Sequence, residues 1–410
     1  MTIRMDLMPG PEVSSGASRA IPIARPILDS EEAEAVARVL RTGWISQGPE
    51  VAAFEEDFAA ATGARHACAV ANCTAALHLA LIAFGVGADD EVVTVSHSFI
   101  ATANAVRYTG ARPVFVDVDR VNGNILPDRI EEALTARTKA LLVVHQLGMP
   151  CDLTAILDIT RRRGLPVIED AACAIGSEIL VDGRWEAIGR PHGDVACFSF
   201  HPRKVVTTGD GGMLTTADRQ LDAQFRLLRQ HGMSVSDRVR HGSNRVIAEQ
   251  YGLLGYNYRM TDIQAAVGRV QLRRLPAMIR ERREMAAVYG ELLCSVPGLR
   301  LPQEPNWAKS NWQSYLVRLP GEANQTAVMQ CMLDSGISTR RGVMCSHREP
   351  AYRGADWRAG RSPVGGQVDL PNSEWLQDHG VLLPLFPGLS RGEQEIIADR
   401  LRASLALARP

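Results

Sequence analysis

Phe198-Ser199-Phe200-His201-Pro202-Arg203-Lys204-Val205-Val206-Thr207-Thr208-Gly209-Asp210-Gly211-Gly212 joins the end of an apolar run, Val195 to Phe200, to a segment of hydroxyls and glycines that carries one lysine. The apolar run reads as a buried strand and the glycines after it as a turn. Lys204 is thereby delivered to a strand end, where an amine can meet a ligand. Most lysines are solvated surface charges, so the reading depends on its company. Upstream, Val167-Ile168-Glu169-Asp170-Ala171-Ala172 reads as a second short buried strand that ends in a carboxylate.

A lysine that forms an imine and an aspartate that keeps a pyridine nitrogen protonated are the two protein groups that pyridoxal 5'-phosphate (PLP) chemistry requires. The chain between residues 67 and 170 alternates strands with helices: 67–71 then 74–84, 91–95 then 101–108, 113–118 then 128–134, 140–144 then 153–163, and 166–170. These strands are unbroken apolar runs rather than alternating ones, as expected where both sheet faces are covered. The fold class is α/β, with a large domain built on a mainly parallel sheet. Ligands in such sheets collect at the carboxyl ends of strands, where Asn72, Ser98, Asp170 and Ser199 all fall.

Ala71-Asn72-Cys73-Thr74-Ala75-Ala76 is a strand end opening into a helix with a small first turn. Free backbone N–H groups at Cys73 and Thr74 suit a phosphate, and the alternative is that Asn72 or Thr74 caps its own helix. Beside Asp170 and Lys204 the phosphate is the preferred reading. Glu31 to Leu40 reads as a helix capped by Asp29 or Ser30. Helical spacing also marks 261–272 and 276–293 as two helices, the second linking to a smaller α+β domain with elements at 313–319, 327–335 and 391–405. The expected division is a flexible tail over 1–18, a PLP-binding domain over 19–260 and a small C-terminal domain over 261–410.

Together with Thr42-Gly43-Trp44-Ile45-Ser46-Gln47-Gly48-Pro49 and Gly255-Tyr256-Asn257-Tyr258-Arg259-Met260-Thr261-Asp262, these motifs make the chain resemble the DegT-type (DegT/DnrJ/StrS) sugar aminotransferases, PLP enzymes of fold type I, from Ile21 to about Leu405. The resemblance implies a PLP-linked Lys204 with Asp170 at the ring nitrogen, and pyridoxamine 5'-phosphate as the alternate cofactor form. It implies Ser199 as a phosphate hydroxyl, Phe99 as the aromatic over the ring, and Asn257 reaching the phosphate of a neighbouring subunit, hence a homodimer with shared sites. Where the family commonly has glutamine or histidine beside the cofactor's phenolic oxygen, this chain has Cys173, and a thiol is a weak donor. Trp44 and Ser46 match a loop at the site's rim, and His347 and Tyr352 a stretch near the substrate; Trp44 reads equally as packing, and His347 as an ordinary loop residue. His97 is a weaker neighbour of Phe99.

The implied reaction moves an amino group from an amino acid, by resemblance L-glutamate, to a keto sugar, often nucleotide-linked. Burial and the adjacent Arg203 are expected to favour a neutral Lys204 amine. A dehydrating branch of the family replaces the lysine by histidine, so Lys204 argues against it. Chemistry on a cyclitol ketone and a non-catalytic PLP sensor remain as other readings.

The 410 residues, 46% hydrophobic, suffice for two or three domains with a substantial core. A net charge of −1 without a Lys/Arg block gives no reason to propose nucleic acid or an anionic membrane as partner. The eight cysteines are scattered, with no Cys-x-x-Cys pair and no metal-ligand spacing, which suits reduced thiols in the cytoplasm and no metal. Residues 1–18 lack a signal-peptide core, and no later apolar run is long enough to span a bilayer.

Overall fold

Gly212 pairs with Val70 on one side and with Ser199 on the other, so the end of the Lys204 segment is stitched between two strand ends. The computed structural model describes residues 20–235, 237–362 and 369–408; the tail read at 1–18 lies outside them. In chain order the strands are β1 His66–Val70, β2 Glu91–Val95, β3 Arg112–Val116, β4 Thr138–Val144, β5 Val167–Asp170, β6 Glu178–Val181, β7 Arg184–Ala187, β8 Val195–Ser199, β9 Gly212–Thr216, β10 Ala308–Lys309, β11 Tyr315–Arg318, β12 Arg340–Arg341, β13 Arg358–Ala359 and β14 Gly380–Leu383. The helices are α1 Ser30–Thr42, α2 Pro49–Thr62, α3 Cys73–Ala83, α4 Ala101–Tyr108, α5 Ile130–Ala133, α6 Leu153–Arg163, α7 Arg219–Leu228, α8 Asp237–His241, α9 Asp262–Leu293, α10 Gln325–Asp334, α11 Pro371–His379 and α12 Arg391–Leu407.

The main sheet has the order β1-β9-β8-β5-β4-β2-β3-β13. Every pairing in it is parallel except those of β9, which runs against β1 and β8. The fold is therefore the expected α/β class with a mainly parallel sheet. Val92, Val93, Leu141, Leu142, Ile168 and Ala196 are all fully buried, which is why their strands read as unbroken apolar runs. Each buried Val or Leu contributes roughly 1.5–3 kcal/mol relative to exposure.

Asp29 caps α1 in a capping box with Glu32, and Asn72 caps α3 by accepting from Ala75 N. A second core gathers Tyr289, Tyr315, Val317, Val328, Ile337, Val381 and Leu401 around the β11-β14-β12 sheet, and Ile21 joins it. The two helices expected on either side of Pro276 are one 32-residue helix, α9, with the proline inside it. A mid-helix proline removes a hydrogen bond and costs about 3 kcal/mol. Here Leu272, Leu275 and Met278 pack into the large core while Met285, Tyr289 and Leu293 pack into the second. Burial on both sides of Pro276 outweighs the lost bond, and α9 becomes the beam common to both cores.

Candidate active site

The carboxyl ends of β1, β2, β5 and β8 bring together α3's N-terminus, Phe99, Asp170 and Ser199, and the turn after β8 returns Lys204 to them. Lys204 Nζ lies 3.0 Å from Cys173 Sγ. The Lys204 turn is closed by its own backbone, Lys204 N donating to His201 O at 2.8 Å. Burial pulls the Lys204 amine's pKa down, but Cys173, Asp170 and Cys73 outweigh it and the net shift is upward. This corrects the expectation of a neutral amine favoured by Arg203: Arg203 is exposed, and it is its carbonyl that is engaged, by Gln313.

Asp170 is buried at the end of β5. Its Oδ2 accepts from Thr102 Oγ1 at 2.8 Å and its Oδ1 from Ala172 N at 3.2 Å, and Thr102 Oγ1 lies 2.7 Å from Ser98 Oγ. Burial raises the Asp170 pKa against the pull of Thr102, the Ala172 N–H and Lys204. A carboxylate whose burial is only partly compensated complements a protonated pyridine nitrogen. Thr102 carries no motif signal that sequence reading could use, because an apolar-bounded helix threonine finds its carboxylate only through the packing of α4 on β5.

Behind Asp170 the Glu169 carboxylate meets His145 Nε2 at 3.0 Å, and Cys151 N donates to His145 Nδ1 at 3.0 Å. Both side chains are fully buried.

On the β1 side of the site, Asn72 takes up the Ala75 N–H, so the capping alternative holds for Asn72. The N–H groups of Cys73 and Thr74 have no partner among the described residues. Gly212 lies against this turn: a Cβ there would stand 2.5 Å from the Asn72 carbonyl carbon and 2.7 Å from Cys73 N. The close approach of β9 to the turn thus requires glycine. Ser199 Oγ accepts only a long bond from His201 N, 3.4 Å. A helix N-terminus with two free N–H groups, a serine hydroxyl, a buried carboxylate and a lysine amine is a donor set that fits PLP, phosphate at one end and ring nitrogen at the other.

Phe99 is 69% exposed, a large apolar face at the sheet edge with no protein cover. His97 beside it is fully buried, and burial lowers its pKa to about 4, so its ring is neutral at physiological pH. Asn257 is exposed on the segment that precedes α9, its backbone bridged to Gln230.

The remaining residues are placed differently. Trp44 Nε1 donates to Gln47 O at 3.0 Å and the ring meets His241 edge-on, so its packing role is visible. Ser46 is exposed, with its carbonyl accepting from Asp262 N at 3.0 Å. The Asp262 carboxylate in turn accepts from Gly48, Glu50 and Val51 N, which ties the Trp44–Gly48 loop to the start of α9. His347 is buried between Ser96 Oγ, 2.7 Å from Nδ1, and Glu374, 3.0 Å from Nε2. Tyr352 is fully buried against Phe115 with its hydroxyl on Asn104 Oδ1 at 2.9 Å. The structure does not bring Tyr352 to an open surface; its aromatic bulk fills a small core cluster with Ala103 and Leu370.

All eight cysteines are free. Among the described residues no cluster of metal-ligating side chains occurs and no helix is long and apolar enough to cross a membrane.

The profile of the DegT/DnrJ/EryC1/StrS aminotransferase family matches residues 26–402. The solved structure of an aminotransferase TlmJ from Streptoalloteichus hindustanus is 37% identical, with a TM-score of 0.84 over 94% of this chain and 99% of that one. DesV of S. venezuelae is 32% identical, TM-score 0.83, over 95% and 99% of the two chains. DesI, solved in the presence of its TDP-sugar product, is 31% identical, TM-score 0.82, over 95% and 94%. A match of this extent, across the segments that carry the lysine, the aspartate and the glycine turn, makes the chain a member of the DegT/DnrJ/EryC1/StrS aminotransferase family.

Proposed function

We propose that this aminotransferase, PLP-dependent like its family, carries an amino group from L-glutamate to a keto sugar joined to a nucleotide, with Lys204 as the lysine that holds the cofactor. The observation that carries the reading is the convergence of Lys204, Asp170, Ser199 and α3's N-terminus on one edge of the sheet. The sugar rests on membership of the family and on DesI, a relative solved with a TDP-sugar product.

PLP supplies, when bound, an electron sink that makes the donor's Cα proton acidic. The residues of this chain do the rest. Cys73 N, Thr74 N and Ser199 Oγ bind the phosphate, and the α3 dipole favours its charge. Asp170, oriented by Thr102 and the Ala172 N–H, keeps the ring nitrogen protonated. Phe99 covers one ring face and excludes water there. Lys204 would anchor the cofactor through Nζ and, when displaced by the donor, would take the Cα proton on that same nitrogen and deliver it to the cofactor carbon that had been linked to Nζ. Pairing of Asp170 with the ring nitrogen would neutralise one of the charges that favour the Lys204 ammonium, which lowers its pKa and leaves more of Nζ unprotonated and free to accept a proton.

Cys173 serves the phenolic oxygen in place of the usual amide or imidazole. Trp44 and Ser46 form the rim of the site, and His347 shapes its wall from the substrate side through Ser96. Asn257, exposed in the protomer, reaches the phosphate in a partner subunit, so the working unit is a homodimer; its place is the cytoplasm. The large domain runs over 19–260 and the small one, with α9 as its linking helix, begins at Thr261, the cap of α9.

The test is the visible spectrum of the protein with PLP, before and after L-glutamate is added without an acceptor. The expected result is an absorption band that L-glutamate converts to that of pyridoxamine phosphate, after which keto sugars and cyclitol ketones are screened as acceptors. A band that no amino donor changes would indicate a sensor, and no band at all would overturn the Lys204 assignment.

A further inference from the structure

The Lys204–Cys173 contact is held from behind by a segment of the second core. Asn311-Trp312-Gln313 lies between β10 and β11 and reaches back to the large core with two amide side chains. Asn311 Nδ2 donates to Cys173 O and to Ile175 O, both at 2.8 Å. Gln313 Nε2 donates to Arg203 O, also at 2.8 Å. One amide therefore grips the backbone of Cys173 itself and the other the peptide bond that leads into Lys204, the two residues whose side chains meet.

The segment is built to be stiff. Asn311 is fully buried, its N–H donates to Ser177 Oγ at 3.0 Å, and its Oδ1 accepts from Gln313 N at 2.9 Å. Ser177 Oγ donates onward to Gly148 O at 2.6 Å. Gly148 sits at φ 94°, and a Cβ there would stand 2.0 Å from Asn311 Oδ1, so this turn yields space to the amide. Trp312 lies in the left-handed region at φ 50°, a strained conformation for a bulky residue. Its ring stacks on Tyr315, and Arg282 of α9 donates to Trp312 O and Gln313 O, each at 3.2 Å. Strain held this firmly marks a segment whose geometry is over-determined by its surroundings.

The geometry points to Asn311 and Gln313 as positioning residues that fix the spacing of Lys204 Nζ and Cys173 Sγ, which makes the second core part of the active site. This rests on the reading of Lys204 as the cofactor-holding lysine. The amides act through backbone carbonyls and touch neither substrate nor cofactor. Without the Gln313 bond the Lys204 turn is held by bonds within itself, Lys204 N to His201 O and Arg203 N to His201 Nδ1, and the groups facing Nζ, namely Cys173, Asp170 and Cys73, no longer meet it at fixed range. The effect therefore appears in the titration of PLP bound at Lys204.

The test compares wild type, Gln313→Leu, which keeps size and loses the donor, and Tyr289→Phe. Tyr289→Phe removes a buried bond of the second core, Tyr289 OH to Pro384 O at 2.8 Å, that involves neither of the two gripped carbonyls. For each, the visible band of bound PLP is titrated against pH, the PLP dissociation constant is measured, and the PLP-free protein is unfolded with denaturant. The expected result for Gln313→Leu is a midpoint pH moved by about half a unit or more and PLP bound about tenfold more weakly. Its denaturation midpoint stays within that of Tyr289→Phe, which itself leaves the pH midpoint at the wild-type value. An unmoved pH midpoint in Gln313→Leu overturns the inference, as does an equal shift in Tyr289→Phe, because the effect would then be general loosening. A wild type without any visible band overturns the Lys204 reading first, and the positioning role with it.

Discussion

Lys204 Nζ and Cys173 Sγ stand 3.0 Å apart at the carboxyl edge of the sheet, an amine against a thiol. By resemblance to the family, an amide or an imidazole is expected where this chain has the thiol. It is a weaker hydrogen-bond group than either, yet it does more than Asp170 or Cys73 to raise the amine's pKa against burial.

Lys204→Ala removes both the anchor and the base. Transamination is expected to fall by on the order of a thousandfold or more, and the protein mixed with PLP should show no lysine-linked visible band. Turnover at the wild-type rate, measured as keto acid released from L-glutamate, would show that another residue carries the chemistry.

Asp170→Asn separates function from stability. Burial raises the Asp170 pKa, so the folded state disfavours the carboxylate and loses stability as pH rises from the ordinary aspartate range through the raised value. The variant is expected to lose activity yet to be more stable than the PLP-free wild type at neutral pH by on the order of 1 kcal/mol. The gain should vanish in acid, where the wild-type group is protonated in both states. Denaturant unfolding at neutral and acid pH decides it, and a variant less stable at neutral pH would show that the carboxylate is well compensated.

Thr102→Val deletes the hydroxyl that donates to Asp170 Oδ2. The loss of a bond to a charged group costs about 1.5–3 kcal/mol, seen as PLP affinity lowered by one to two orders of magnitude in a spectroscopic titration. Unchanged affinity would mean that Ala172 N–H alone orients the carboxylate.

Gly212→Ala drives a Cβ into the turn at Asn72 and Cys73. Backbone cannot move aside as a side chain does, so a destabilisation of about 1–3 kcal/mol and loss of PLP binding are expected. The parallel measurements are a thermal melt and a PLP titration, and retention of both would show that β9 can shift away from the turn.

Mixed dimers test the shared site. Lys204→Ala and Asn257→Ala are each expected to be inactive or weak alone, and subunit exchange should regenerate one site with its own Lys204 and the partner's Asn257. Activity that rises on mixing supports the homodimer; activity that stays at the mean of the two parents would place Asn257 outside any shared site.

Much of the fold was legible because its strands are continuous apolar runs. The strands read at 91–95 and 140–144 match β2 Glu91–Val95 and β4 Thr138–Val144 to within two residues. The start of α1 was legible as a cap at Asp29 or Ser30, and the structure selects Asp29 through its capping box with Glu32. Pro276 misled because a proline's cost is local while the burial that overrides it comes from two cores. Arg203 misled because neighbours in sequence at a turn point apart.

By itself the sequence determined the α/β alternation, the strand ends and the placing of one lysine and one aspartate beside two of those ends. Those depend on periodicity and on residue type, which short stretches carry in full. Tertiary structure alone decided that Thr102 serves Asp170, that Gly212 must yield to Cys73, and that Asn311 and Gln313 grip the backbones of Cys173 and Arg203. A polar side chain's partner is set by which segments pack together, and here the partners are brought from distant parts of the chain by the burial of two apolar cores.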